Sequence, residues 1–92
     1  MGYDFEWDPQ KAKVNLRKHS VSFAEAVTAF GDPLSMNMLD PDHSESEQRF
    51  IVLGRSDRYR LLVVSYAERP PKTRIFSARL ATRHERRQYE EE

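Results

Sequence analysis

The chain has 92 residues, 15 basic and 15 acidic side chains, a formal net charge of zero, 38% hydrophobic residues and no cysteine. That is enough for one small domain, 1–92, around one core, and it excludes a disulfide framework and thiolate chemistry. No apolar run approaches the ~20 residues that span a bilayer. Met1 to Asp8 carries acids where a signal peptide has basic residues, so a cytoplasmic protein with no membrane partner is expected.

Tyr3, Phe5 and Trp7 alternate with Asp4 and Glu6 as a short strand. Asp8 is a good N-cap for a helix with Pro9 in its first position, where the missing N–H costs nothing. Ala12, Leu16 and His19 set that helix's inner stripe, with Lys11, Lys13, Arg17 and Lys18 around the rest; the cations of the last turn suit the helix dipole. Ser22-Phe23-Ala24-Glu25 has the form of a capping box, and Phe23, Ala26, Val27 and Phe30 follow as a core stripe. Gly31-Asp32-Pro33 ends this second helix. Leu34 to Leu39 is a further strand, with its methionines filling core gaps, and Asp40 to Gln48 is a polar loop.

Three strands joined by two short turns then run from Arg49 to Ser56, Arg60 to Ala67 and Thr73 to Arg79. The run Leu61-Leu62-Val63-Val64 is apolar on both faces, as suits a central strand buried from two sides. In the third strand, strict alternation sets Ile75, Ser77 and Arg79 opposite Arg74, Phe76 and Ala78. Asp57 to Tyr59 and Pro70-Pro71-Lys72 are the turns. Thr82-Arg83-His84-Glu85 opens a last helix with another capping box, and its only apolar residue of weight is Tyr89. The expected fold is α+β: a twisted, mostly antiparallel sheet with two N-terminal helices on one face and a short C-terminal helix.

Zero net charge conceals a division. Residues 1–48 carry four basic and nine acidic side chains, whereas residues 49–89 carry eleven basic and three acidic ones; Glu90-Glu91-Glu92 closes the balance. A basic second half points to a polyanionic partner, unless its arginines only solubilise a small sheet.

Several groups of residues resemble BrnT toxins, a family of RelE-like ribonucleases. They are Phe5-Glu6-Trp7-Asp8-Pro9, Lys11-Ala12, Asn15, Lys18-His19 and Val21-Ser22-Phe23; then Asp32-Pro33, His43-Ser44, Glu47, Arg49 and Leu53-Gly54-Arg55-Ser56; then Arg74-Ile75, Ser77-Ala78-Arg79, Ala81-Thr82, Glu85-Arg86 and Tyr89-Glu90. The resemblance implies a RelE-like fold and an enzyme that cuts messenger RNA and arrests translation. It also implies an antitoxin of the BrnA type with a ribbon-helix-helix domain, in a complex of two toxins and two antitoxins that binds operator DNA through the antitoxin. Ser20 and Tyr59 depart from the pattern; both stand where the family commonly has glycine.

Metal-independent RNA cleavage needs a base for the ribose 2′-OH, cations for the pentacoordinate phosphate and an acid for the leaving 5′-oxygen. No cofactor is expected. Arg79, beside the last helix's N-terminus, is the leading phosphate ligand; the other reading is an ion pair with Glu85. Arg49 joins it in the catalytic set. Arg55, Arg69, Arg74 and Lys18 are candidate RNA ligands, and Arg49, Arg69 and Arg74 are equally readable as charges guarding a strand. His43 and Glu47 form a candidate base and orienter, or else the loop is solvated and makes only turn bonds. Tyr89 is a candidate proton donor or base-stacking ring, with packing on the sheet as its plain alternative. Arg83, Arg86 and Tyr89 are the expected antitoxin contacts. Two other functions fit the composition: a non-catalytic RNA- or ribosome-binding module, and a metal-dependent hydrolase built on Asp40, Asp42, His43 and Glu45.

Overall fold

A computed structural model describes residues 4–43 and 46–91. Tyr3, Ser44, Glu45 and Glu92, which figure in the sequence readings above, lie outside the described residues. The elements are β1 (Asp4–Glu6), α1 (Pro9–His19), α2 (Phe23–Ala29), β2 (Met36–Leu39), a 3-10 turn (Pro41–His43), β3 (Phe50–Arg55), β4 (Leu61–Arg69), β5 (Lys72–Leu80) and α3 (Arg83–Glu90). This is the expected order. The strands form one sheet in the order β1-β5-β4-β3-β2. Among the described residues only the pairing of β1 with β5 is parallel; the others are antiparallel.

β4 is central and buries both its faces. Leu62, Val64 and Tyr66 join Val21, Phe23, Ala26, Ala29, Val52, Ile75 and Ala78 in the main core under α1 and α2. Leu53, Leu61 and Val63 make a smaller cluster on the opposite face, with Met36, Ile51, Ala81 and Tyr89 packed against it. Ring contacts extend the main core to the sheet margin: Phe5 lies 5.0 Å from Phe30, and Phe30 lies 4.9 Å from Tyr66. Of the methionines expected in the core, Met36 packs against the smaller cluster, while Met38 is exposed. Gly54 marks the closest approach of layers. A Cβ there would stand 2.7 Å from the carbonyl oxygen of Ala29, so the end of α2 can sit on β3 only because that side chain is absent.

Four local readings are corrected. The buried residue of α1 is Asn15; of the expected stripe Ala12, Leu16 and His19, Ala12 packs against the main core but Leu16 is 51% exposed. The Asn15 amide donates to the carbonyls of Val21 (2.9 Å) and Ala78 (2.8 Å) and accepts from the Ala78 N–H at 3.1 Å. It acts as a one-residue partner for an uncovered stretch of β5, satisfying backbone groups that an apolar side chain would leave orphaned. The capping box of α2 is half formed: Ser22 Oγ accepts from the Glu25 N–H, but the Glu25 carboxylate turns inward to Arg60 and Ser56. The second strand runs two residues further than expected, to Arg69, and meets β5 across a cis Pro70–Pro71 bond.

The fourth correction concerns alternation in β5. Pairing passes from Ser65–Ser77 to Tyr66–Ile75, which leaves Phe76 as an extra residue. This bulge places Ile75 with Ala78 in the main core. Ser77, Arg79 and Phe76 turn to the other face, as bulges re-aim side chains.

Candidate active site

The sheet face away from α1 and α2 is shared by two features. At one end Tyr89 of α3 packs on Leu53, Leu61 and Val63. From Val63 onward the face is uncovered and forms a groove of about 320 Å³, lined by Lys11, Asp40, His43, Arg49, Ile51, Val63, Ser65, Phe76, Ser77 and Arg79. The floor comes from β3, β4 and β5. One wall comes from the 3-10 turn and another from Lys11 of α1.

His43, Arg49 and Arg79, three of the four expected catalytic residues, are brought together here. The fourth, Glu47, is not: it makes two hydrogen bonds with the Arg69 guanidinium, at 3.0 and 2.6 Å. A carboxylate facing a planar fork pairs bidentately, which an imidazole cannot offer. Those hydrogen bonds hold the Glu47 carboxyl below its ordinary range and push Arg69 up. The partner of His43 is instead Asp40, whose Oδ2 lies 3.0 Å from His43 Nδ1. The Asp40 side chain is 10% exposed and that of His43 65%, so a fixed carboxylate holds a ring that a substrate can reach. The 3-10 turn makes the pair, since residues i and i+3 eclipse there.

Of the two readings of Arg79, the ion pair with Glu85 is the one present. Arg79 lines the groove and also forms a fork to Glu85, Nη1 to Oε1 and Nη2 to Oε2, each 2.9 Å. Nη1 further donates to the Leu80 carbonyl at 3.2 Å. Of the guanidinium's five donors, these bonds use three, leaving two for a phosphate. The Arg79 hydrogen bonds draw the Glu85 carboxyl down to about 2, against the opposing effect of burial. The same carboxylate accepts from the Thr82 N–H, so the capping box of α3 also sets the arginine's position.

The remaining candidates are dispersed. Arg74 pairs with Glu6 across the β1–β5 join at 3.5 Å. Arg55 donates to the Tyr59 carbonyl and lies 5.4 Å from the Tyr89 ring. Lys18 and His19 line a separate, more apolar groove beside Val14 and Phe76. Tyr89 Oη donates to Asp32 Oδ2 at 2.5 Å; burial and then this bond raise its phenol above the ordinary value. It anchors α3 and is not among the groove's lining residues, so its plain alternative, packing on the sheet, is the one its position supports. Arg83 and Arg86 are exposed along α3. Among the described residues no three side chains gather as metal ligands; of the four proposed for a hydrolase, Asp40 and His43 meet as the pair above.

Sequence reasoning did not find Lys11, Phe76, Ser65 or Ser77, and gave Asp40 only a metal-binding role. Lys11 needed the true rotation of α1, which the polar Asn15 disguised. Phe76 and Ser77 needed the bulge. Asp40 carried a signal that was available: a carboxylate three residues before a histidine in a short polar turn.

The family model described as "Ribonuclease toxin, BrnT, of type II toxin-antitoxin system" matches residues 7–85. No curated protein sequence matches the chain. Among solved structures, the ribonuclease toxin BrnT of Brucella abortus superposes with a TM-score of 0.65 at 18% identity, covering 89% of this chain and 100% of that one. At that identity the likeness shows a shared fold.

Proposed function

Because the chain belongs to the BrnT family of ribonuclease toxins of type II toxin–antitoxin systems, we propose that it cleaves messenger RNA by metal-independent attack of a ribose 2′-OH, in the groove between Asp40 and Arg79. The observation that carries this reading is the meeting of an Asp–His pair with three cations, Lys11, Arg49 and Arg79, on one uncovered sheet face. His43, held by Asp40, takes the proton of the 2′-OH as the 2′-oxygen bonds to phosphorus. Arg79 and Arg49 bear the charge that grows on the non-bridging oxygens, where preorganised donors act most strongly. Lys11, the groove's ammonium, protonates the 5′-oxygen as its bond to phosphorus breaks. The products are a 2′,3′-cyclic phosphate and a 5′-hydroxyl end. The toxin acts in the cytoplasm, arrests translation there, and is neutralised by a BrnA-like ribbon-helix-helix antitoxin in a complex of two toxins and two antitoxins, which binds operator DNA through the antitoxin.

The test is incubation of the purified chain with messenger RNA in excess chelator, followed by analysis of the ends. Cyclic phosphate ends are expected, and Asp40→Asn, His43→Ala and Arg79→Ala should each lower the rate more than tenfold with the thermal midpoint of the two turn variants little changed. Intact RNA that is nevertheless bound would favour the non-catalytic module. Full activity of both Asp40→Asn and His43→Ala would remove the assigned base.

A further inference from the structure

Phe76 is carried out of the sheet's alternation by the bulge and enters the groove rather than the core. Its half-buried ring is surrounded by cations: Arg49 Cζ stands 3.7 Å from the ring centroid, Arg69 Cζ 5.8 Å and Lys11 Nζ 5.9 Å. The last two lie near the limit of cation–π attraction, about 6 Å. Arg49 alone is at stacking distance. An aromatic ring set among three cations, in a groove that also holds Arg79, contributes little as core. It does hold a flexible side chain flat, so that part of the rotamer entropy an arginine gives up on binding is given up before any ligand arrives. A guanidinium plane covered on one side by an aromatic ring offers its other side to a nucleobase, a recurring way of holding single-stranded RNA.

We propose that the Arg49–Phe76 stack is a nucleobase platform, on which one base beside the scissile phosphate lies against the Arg49 guanidinium; Phe76 is the positioning residue beneath it. The platform rests on the ribonuclease reading for its substrate but is tested without cleavage. Because every base has a π-face, it selects for an unstacked base rather than for one sequence.

The probe is a fluorescent 2′-O-methyl oligoribonucleotide, which cannot be cleaved, and a set of the same oligonucleotide with one abasic position at a time, read by anisotropy. The unaltered chain should lose about tenfold in affinity at one abasic position, within the range of a single stacked base. Arg49→Lys keeps the charge and loses the plane; Phe76→Leu keeps apolar bulk and loses the support. Each should weaken the intact oligonucleotide about tenfold, and neither should lose further at that abasic position. Equal losses on intact and abasic oligonucleotides would make Arg49 a phosphate clamp only and overturn the proposal. So would an unaltered chain that ignores every abasic position or fails to bind. Should Phe76→Leu not fold, by its thermal midpoint, Arg49→Lys decides alone. Cleavage of unmodified RNA is scored separately: the base signature without cleavage leaves the platform standing and removes the ribonuclease reading, and cleavage without the signature does the reverse.

Discussion

Ser20 and Tyr59 hold φ at 58° and 64°, inside the left-handed region. Ser20 ends α1, its N–H reaching the Leu16 carbonyl, and Tyr59 closes the turn between β3 and β4, its N–H reaching Ser56. These are the two positions at which the resemblance led a glycine to be expected. The backbone keeps the conformation glycine would supply and the side chains bear the cost. For an L-residue that is about 1–2 kcal/mol, against roughly 0.5–1 kcal/mol of extra chain entropy if glycine were there. Ser20→Gly and Tyr59→Gly should therefore each stabilise the fold by about 0.5–1 kcal/mol, raising the thermal midpoint by a few degrees. Tyr59 is 81% exposed, so its ring gives up no packing in the exchange. A melting curve unchanged or lowered in both variants would show that the chain entropy glycine adds to the unfolded state outweighs the dihedral cost. Buried Glu25 shows a further limit of local reading. Its partners Ser56 and Arg60 lie 31 and 35 positions away, so the sequence offered only a helix cap for it.

α3 buries none of its residues, so its position comes from contacts at its two ends. Glu85 closes the capping box and receives the Arg79 fork at the first turn. At the last turn Tyr89 reaches Asp32, whose other bonds run to the backbone of Arg55 and Leu34. Tyr89→Phe keeps the ring on the Leu53–Leu61–Val63 cluster and removes one bond to a charged acceptor, a loss of about 1–2 kcal/mol. It should raise amide exchange in α3 while leaving β4 and β5 protected; uniform exchange would mean that the ring, not the hydroxyl, is the anchor. Acid should act at the other end. Glu85 has a folded value of about 2 against an ordinary 4.5. A depressed carboxyl gives stability that is present above its unfolded value and lost as pH falls through the folded one. The thermal midpoints of the unaltered chain and of Glu85→Gln should thus converge as pH falls from about 4.5 to about 2. Existence and type of every α-helix and strand were legible, because caps, turns and apolar runs are local, whereas the 3-10 turn at Pro41–His43 was read only as polar loop. The bulge at Phe76 and the Asn15 bridge were not, because both depend on what the neighbouring layer requires.

At the scale of the molecule, the helices seal one sheet face and leave the other half open. The basic second half of the sequence is sorted by this architecture, with Glu6 answering Arg74, Glu25 answering Arg60, Glu47 answering Arg69 and Glu85 answering Arg79. Arg83, Arg86 and Arg87 are left exposed along α3, beside the groove that shares its sheet face. An antitoxin that masks the RNA site would meet this edge first, and acidic groups on it would gain both steering and partly desolvated pairs. Arg83→Glu together with Arg86→Glu reverses two charges without touching any lining residue of the groove. The expected result in a titration with the cognate antitoxin is affinity at least tenfold weaker, mostly through a slower association rate and with a shallower dependence on salt. RNA cleavage by the free variant should survive, which separates an antitoxin contact from a catalytic one. Unchanged affinity would move the partner to α1, where Val14 is exposed, and inhibition would then have to act without covering the groove. Light scattering of the complex belongs to the same experiment. If the antitoxin's DNA-binding domain joins two toxins, the mass should correspond to two of each chain in both the unaltered and the charge-reversed assemblies, since dimerisation through the antitoxin does not involve α3.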